Sequence, residues 1–152
     1  MTLTSLITAL FLLYGFSTQR ETQQTECKNP LIDSIAVVKC ISIIDGDTWK
    51  FKLGRDVFSV RVLGIDCYET KHNARLQKQA DRHGITKDSA LILGLRAKKI
   101  ADSLLTGKEI IIIRDFKESN FDVYNRLLRH CYFEGMINYA ELIKLQGLNA
   151  YE

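Results

Sequence analysis

No Cys-x-x-Cys pair occurs in this sequence, and none of its four cysteines, Cys27, Cys40, Cys67 and Cys131, has a histidine at zinc-ligand spacing, which argues against a zinc site. The three histidines, His72, His83 and His130, have no partners at ligand or triad spacing either, so ordinary surface or core roles are expected of them. The single proline, Pro30, lies in a polar stretch, and neither an internal repeat nor a low-complexity tract is present, which sets repeat architectures aside. A large excess of charge is missing too: a net charge of +3 permits a polyanionic partner without demanding one. No charged side chain precedes Arg20, yet the apolar run from Leu6 to Phe16 falls short of the roughly 20 residues that a membrane-spanning helix needs.

That run has the length of a signal-peptide core, with Gly15 and Ser17 as small residues at a spacing that a signal peptidase accepts. Residues 1–17 are therefore read as a signal peptide or N-terminal anchor, 18–34 as a linker, and 35–152 as one domain. Export to a periplasm or the exterior follows, with membrane contact only if the first segment stays uncleaved. Four cysteines in an oxidising compartment allow three pairings, and Cys40 and Cys131, each inside an apolar run, are equally compatible with buried thiols.

The run Ile35 to Ile44 is rich in β-branched residues and ends at the turn signal Asp45-Gly46-Asp47. Trp49, Phe51 and Leu53 then alternate with Thr48, Lys50 and Lys52, and a Gly54-Arg55-Asp56 turn leads into Val57 to Leu63, so three strands form a meander. Residues 71–87, polar and basic, read as loop or loose helix. Thr86 caps a helix in which Leu93, Ala97, Ile100, Ala101 and Leu104 recur at helical spacing until Gly107. Glu109 to Arg114 reads as a strand, Phe116 to Val123 as a polar loop, Tyr124 to Phe133 as a further strand, and a last helix runs from the cap Asn138 to Gly147. The order β-β-β-α-β-β-α predicts an α+β, mainly β fold: a five-stranded OB-type barrel with a helix inserted after strand 3 and a C-terminal helix.

Asp45-Gly46-Asp47-Thr48 alone reads first as a hairpin turn, since Asp and Gly are default turn residues. A second acidic pair, Asp66 and Glu69, follows the third strand, where functional carboxylates tend to sit, although a solvated face explains them as well. Arg61, flanked by Val60 and Val62, must reach a barrel rim or pair with an acid, and Arg126 stands similarly at the start of a strand. Together these residues suit phosphodiester cleavage: guanidiniums grip phosphoryl oxygens bidentately, carboxylates hold a hard cation, and a further carboxylate orients or deprotonates water. The basic residues from Lys71 to Arg82 lie beside this group, and a solvated loop accounts for them as readily as attraction of a polyanion.

Four ordered motifs, Ile44-Asp45-Gly46-Asp47-Thr48, Val60-Arg61-Val62-Leu63-Gly64-Ile65-Asp66-x-x-Glu69, Asp122-x-Tyr124-x-Arg126 and Ile137-Asn138 through Gly147-Leu148, resemble the thermonuclease (staphylococcal nuclease-like) family across about residues 36–150. The resemblance implies one calcium ion held by Asp47, Asp66 and the main-chain carbonyl of Cys67. It also implies Glu69 as general base or water organiser, Arg61 and Arg126 as phosphate clamps, and Tyr124 near the bound nucleotide. The implied activity is calcium-dependent hydrolysis of single-stranded or denatured DNA and RNA with little sequence preference, by attack of water that leaves 5′-hydroxyl and 3′-phosphate ends. A monomer with no obligate protein partner is expected. The alternative expectation is a nucleic-acid-binding OB module that cleaves weakly or not at all; degenerate copies normally lack one or more of Asp47, Arg61, Asp66, Glu69 and Arg126, all present here. Cys67 and Tyr68 stand where the family usually has Thr and Pro, and Asn125 where it has Gly; losing the proline predicts a looser metal loop.

Overall fold

The computed structural model describes residues 34–151. The expected signal or anchor segment, residues 1–17, and the linker up to residue 33 lie outside the described residues. β1 (Ile35–Ile43), β2 (Thr48–Leu53) and β3 (Asp56–Val62) form the meander that the alternating pattern predicts, and two helices follow, α1 (Ala74–Arg82) and α2 (Lys87–Leu105). β4 (Glu109–Ile113), β5 (Leu127–Phe133), a two-residue β6 (Ile137–Asn138) and α3 (Tyr139–Leu145) complete the order.

The strands lie in the order β3-β2-β1-β4-β5-β6, and a further pairing between β3 and β5 closes the sheet into a five-stranded barrel. The closing seam is parallel, with Val60 opposite Leu127, Arg61 opposite Leu128 and Val62 opposite Arg129, whereas the other pairings are antiparallel. The fold is thus the α+β OB-type barrel that the sequence predicts. Its interior is filled by inward positions of each strand, among them Trp49, Phe51, Val60, Ile110, Ile112, Leu127 and Cys131, all nearly or fully buried. α2 covers one end of the barrel with the small side chains of Ala97 and Ala101 and with Leu105, and α3 adds Tyr139 and Ile143.

Two expectations are corrected. Residues 74–82, expected as loop or loose helix, form a regular helix, so two helices separate β3 from β4. Asn73 caps α1 by accepting from Leu76 N at 2.7 Å, and Leu76 and Ala80 pack with Tyr68, Ala90 and Ala150 in a small apolar cluster of their own. Only those few apolar residues face inward from an otherwise polar helix, which is why the sequence pattern under-reported it. The strand expected from Tyr124 starts only at Leu127, because Asp122 Oδ1 accepts from both Tyr124 N and Arg126 N at 2.9 Å and folds the intervening residues into a tight turn. Asn125 occupies the left-handed region of that turn with φ 61°, a conformation that Asn tolerates better than most residues other than Gly.

Cys40, Cys67 and Cys131 are free, buried thiols; Cys27 lies outside the described residues. Burial pushes the Cys40 thiol up to about 11 and the Cys67 and Cys131 thiols higher still. Among the described residues, no helix is long and apolar enough to cross a membrane.

Candidate active site

The register of the barrel brings together side chains far apart in sequence. Thr48 pairs with Arg61 across β2 and β3, and Arg61 pairs with Leu128 across the closing seam. The Asp45–Asp47 turn, the loop after β3, α1 and the Asp122–Arg126 turn therefore meet at one rim. The structure gathers Asp47, Arg61, Asp66, Cys67 and Glu69 there, with Arg126 joined to them through Thr48.

Asp47 is 1% exposed and is held by three donors. Its Oδ1 accepts from Thr48 Oγ1 at 2.9 Å and from Arg61 Nη1, and its Oδ2 accepts from Cys67 N at 2.6 Å. Burial drives its carboxyl upward, against the pull of Arg61, and the neighbouring Asp45 adds to the rise. Arg61 donates through Nη1 to Asp47 and through Nη2 to Asp66, so one guanidinium bridges both acidic loops. Desolvation opposes its charge, but the two carboxylates outweigh that and keep Arg61 protonated. This meets the expectation that Arg61 needs an acid if it is to be tolerated within the strand.

Asp66 Oδ1 also accepts from Arg75 Nη2 at 2.5 Å, and Arg75 Nη1 lies 3.2 Å from Glu69 Oε1. Glu69 Oε2 accepts from Asn73 Nδ2 at 2.9 Å. On the other side, Arg126 donates through Nε to Asp122 Oδ2 at 2.6 Å and through Nη1 to Thr48 Oγ1 at 3.0 Å, and its guanidinium lies 5.3 Å from the Tyr124 ring centroid. Tyr124 itself is 75% exposed. An unbroken series of polar contacts therefore runs Arg126, Thr48, Asp47, Arg61, Asp66, Arg75, Glu69.

The loop from Asp66 to Glu69, expected to be loose without its proline, is stapled from several sides. Gln79 of α1, 3% exposed, accepts from Glu69 N at 2.9 Å through Oε1. Its Nε2 donates to Cys67 O at 3.0 Å and to Asp66 Oδ2 at 3.3 Å. Asp66 N donates to Asn149 Oδ1 at 2.9 Å, and Ala150 N donates to Asp66 O at 2.6 Å. Gly94 in the middle of α2 completes the seating: a Cβ there would lie 2.4 Å from Glu69 O and 2.5 Å from Tyr68 O, so only glycine lets helix and loop approach this closely. Gly46 does the same for the other loop, where a Cβ would lie 2.6 Å from Ala97 Cβ and 2.8 Å from Cys67 Sγ, and Tyr139 OH donates to Gly46 O at 2.6 Å.

Gln79, Arg75, Gly94, Asn149 and Tyr139 were not legible as site residues. A polar residue in a polar stretch carries no sign of burial, and the glycine in a helical run reads only as a weak position.

Among the described residues, no three His, Cys, Asp or Glu side chains are grouped so as to hold a metal. The expected ligands fit a hard cation in donor chemistry, since Asp47 and Asp66 supply carboxylate oxygens and Cys67 a carbonyl. Asp66 Oδ2 and Cys67 O both accept from Gln79 Nε2, and both Asp47 oxygens already accept from Thr48, Arg61 and Cys67 N, so a cation held by this set would take the place of some of these donors. With only these oxygens from protein, a calcium ion, which takes about six to eight, would need the rest from water or substrate.

Fold and rim define an α+β protein built on a closed OB-type barrel with a charged site at one end. No family model matches the chain. An uncharacterized protein of Methanocaldococcus jannaschii is 26% identical over 115 residues, covering 72% of this chain and 56% of that protein, so the chain spans about half the length of the curated relative it matches.

Proposed function

We propose that this protein is a calcium-dependent phosphodiesterase that hydrolyses single-stranded DNA and RNA. The observation that carries the reading is the alternation of guanidinium and carboxylate groups along one barrel rim, with Arg61 at its centre. Cleavage of a phosphodiester builds negative charge on the phosphoryl oxygens, and fixed guanidiniums stabilise that charge more than they stabilise the ground state. Arg61 and Arg126 stand on either side of the Asp47–Thr48 contact and are the clamps of this reading. Calcium, when bound to Asp47, Asp66 and the Cys67 carbonyl, supplies a fixed positive charge at the same place. Glu69, whose side chain is 25% exposed, is the carboxylate open enough to meet solvent, and it takes the proton of the attacking water. Tyr124 offers an open aromatic face beside Arg126, on which a base can stack.

The test is cleavage of denatured DNA and of RNA by the full chain, with calcium and with a chelator, with the product ends assigned. Calcium-dependent release of 3′-phosphate ends is expected. A folded protein that binds single strands and leaves them intact under all these conditions overturns the reading and leaves a binding module.

A further inference from the structure

The buried residues of α1, Leu76, Gln79 and Ala80, lie at the i, i+3, i+4 spacing that sets side chains together on one helical face. Leu76 and Ala80 pack with Tyr68, Ala90 and Ala150, whereas Gln79, 3% exposed, turns its amide onto the Asp66–Glu69 loop. We propose that Gln79 tunes the affinity of this loop for its cation, because its amide nitrogen holds two of the oxygens that the cation would use, Asp66 Oδ2 and Cys67 O. The inference rests on the calcium reading and adds a form of control to it: cation uptake is an exchange with one neutral side chain, and that side chain ties the cation to the position of Glu69.

The partners fix which way round the amide lies. The Glu69 N–H can only donate, so the atom 2.9 Å from it is Oε1, and the Cys67 carbonyl can only accept, so the atom 3.0 Å from it is Nε2. A half-turn of the amide would offer Oε1 to a cation, but it would also set Nε2 against Glu69 N, donor against donor, and leave that buried contact unmade. Gln79 therefore does not become a ligand while it seats Glu69. An amide hydrogen and a cation on the same oxygen repel each other, so a cation at Cys67 O has to move the Nε2 group off it. Two side chains span a pair of the expected ligands: Arg61 joins Asp47 to Asp66, and Gln79 joins Asp66 to Cys67. Arg61 is the counterion that both carboxylates need, whereas Gln79 is uncharged, so yielding its contacts leaves no charge unbalanced. Because the same amide accepts from Glu69 N, its displacement acts on the main chain of the residue proposed to meet water.

Calcium titrated into the full chain, followed by calorimetry, tests the proposal with wild type, Gln79→Met and Gln79→Glu. Gln79→Met, which removes the competing donor, is expected to bind calcium about three- to tenfold more tightly, the worth of one net hydrogen bond that the cation no longer displaces. Gln79→Glu, which sets a charged oxygen where the donor was, is expected to bind at least about tenfold more tightly. In nitrogen-labelled wild type, the Gln79 side-chain amide proton resonances are expected to move upfield as calcium saturates the protein, a readout that does not depend on how well either variant folds. A Gln79→Met protein that binds calcium more weakly than wild type means that Gln79 merely seats the loop, and overturns the proposal. Gln79→Glu binding no more tightly than wild type, or wild-type resonances that stay in place at saturation, overturns it too, and each of these leaves the calcium reading standing. A wild type that takes up no calcium overturns that reading and this inference with it.

Discussion

Asp47 and Glu69 are both carboxylates of one rim, yet they are held in opposite ways. Asp47 is 1% exposed, lies immediately before β2 and meets a main-chain N–H, a hydroxyl and a guanidinium. Glu69 lies in a loop, and its side chain, 25% exposed, meets Asn73 and the half-exposed Arg75. The difference separates two tasks. Barrel strands fix the charge pattern, where the low dielectric makes each contact count and each missing partner costly. In the proposed reading the loop carries the group that meets water, and the buried Gln79 and Gly94 set the position of its main chain.

Replacing the two arginines separates these tasks most sharply. Arg61→Ala leaves Asp47 and Asp66 without their shared counterion, so a loss of about 3 kcal/mol in urea unfolding is expected together with about a 10³-fold fall in kcat/KM. Arg126→Ala is expected to lose rate on the same order while unfolding within about 1 kcal/mol of wild type, because its partner Asp122 keeps the main-chain donors of residues 124 and 126. Near-normal turnover in Arg126→Ala would remove its role as a clamp, and equal stability of the two variants would erase the contrast.

A smaller effect is expected from geometry alone. Gly94→Ala removes no polar group, but its Cβ requires the Tyr68–Glu69 main chain to move, with a cost of about 1–3 kcal/mol and at least about a tenfold loss of kcat. Glu69→Gln is the control: it is expected to lower kcat by about 10²-fold or more with the melting temperature nearly unchanged. If Gly94→Ala loses stability but keeps full kcat, loop seating does not govern Glu69.

The smallest effect concerns the Asp122 turn. Desolvation works against its ionisation, but the N–H and guanidinium of Arg126 and the Tyr124 N–H hold the carboxyl below the usual range. A depressed folded pKa contributes stability that is present above the unfolded value and lost as pH falls through the folded one. Asp122→Asn should therefore melt lower than wild type near neutrality, with the gap closing below about pH 4. A gap constant with pH would mean that the charge of Asp122 contributes nothing.

The strands were legible because β-branched runs and period-two alternation state which face is buried, as Trp49 and Phe51 against Lys50 and Lys52 illustrate. Asp47, Arg61, Asp66, Glu69 and Arg126 were legible as candidates by type and order. Their mutual contacts were not, because they depend on the register of strands distant in sequence. Gln79 was hidden for a different reason: its burial is decided by the packing of α1, and nothing in a run of Arg, Gln, Lys and Asp distinguishes the one polar side chain that turns inward. The true start of β5 depended on one carboxylate, Asp122, accepting two main-chain bonds that shorten the strand.

The parallel seam between β3 and β5 has a consequence for how the protein is made. It is the last junction of the barrel in topological terms, since it joins strands separated by two helices and β4, and long-range pairings of this kind form late because the intervening chain must first be gathered. Arg61 and Arg126 become neighbours only across that seam. A chain with its meander formed and the seam still open would lack the contacts from Arg126 through Thr48 and Asp47 to Arg61, and under the proposed reading activity would return on refolding only as the barrel closes.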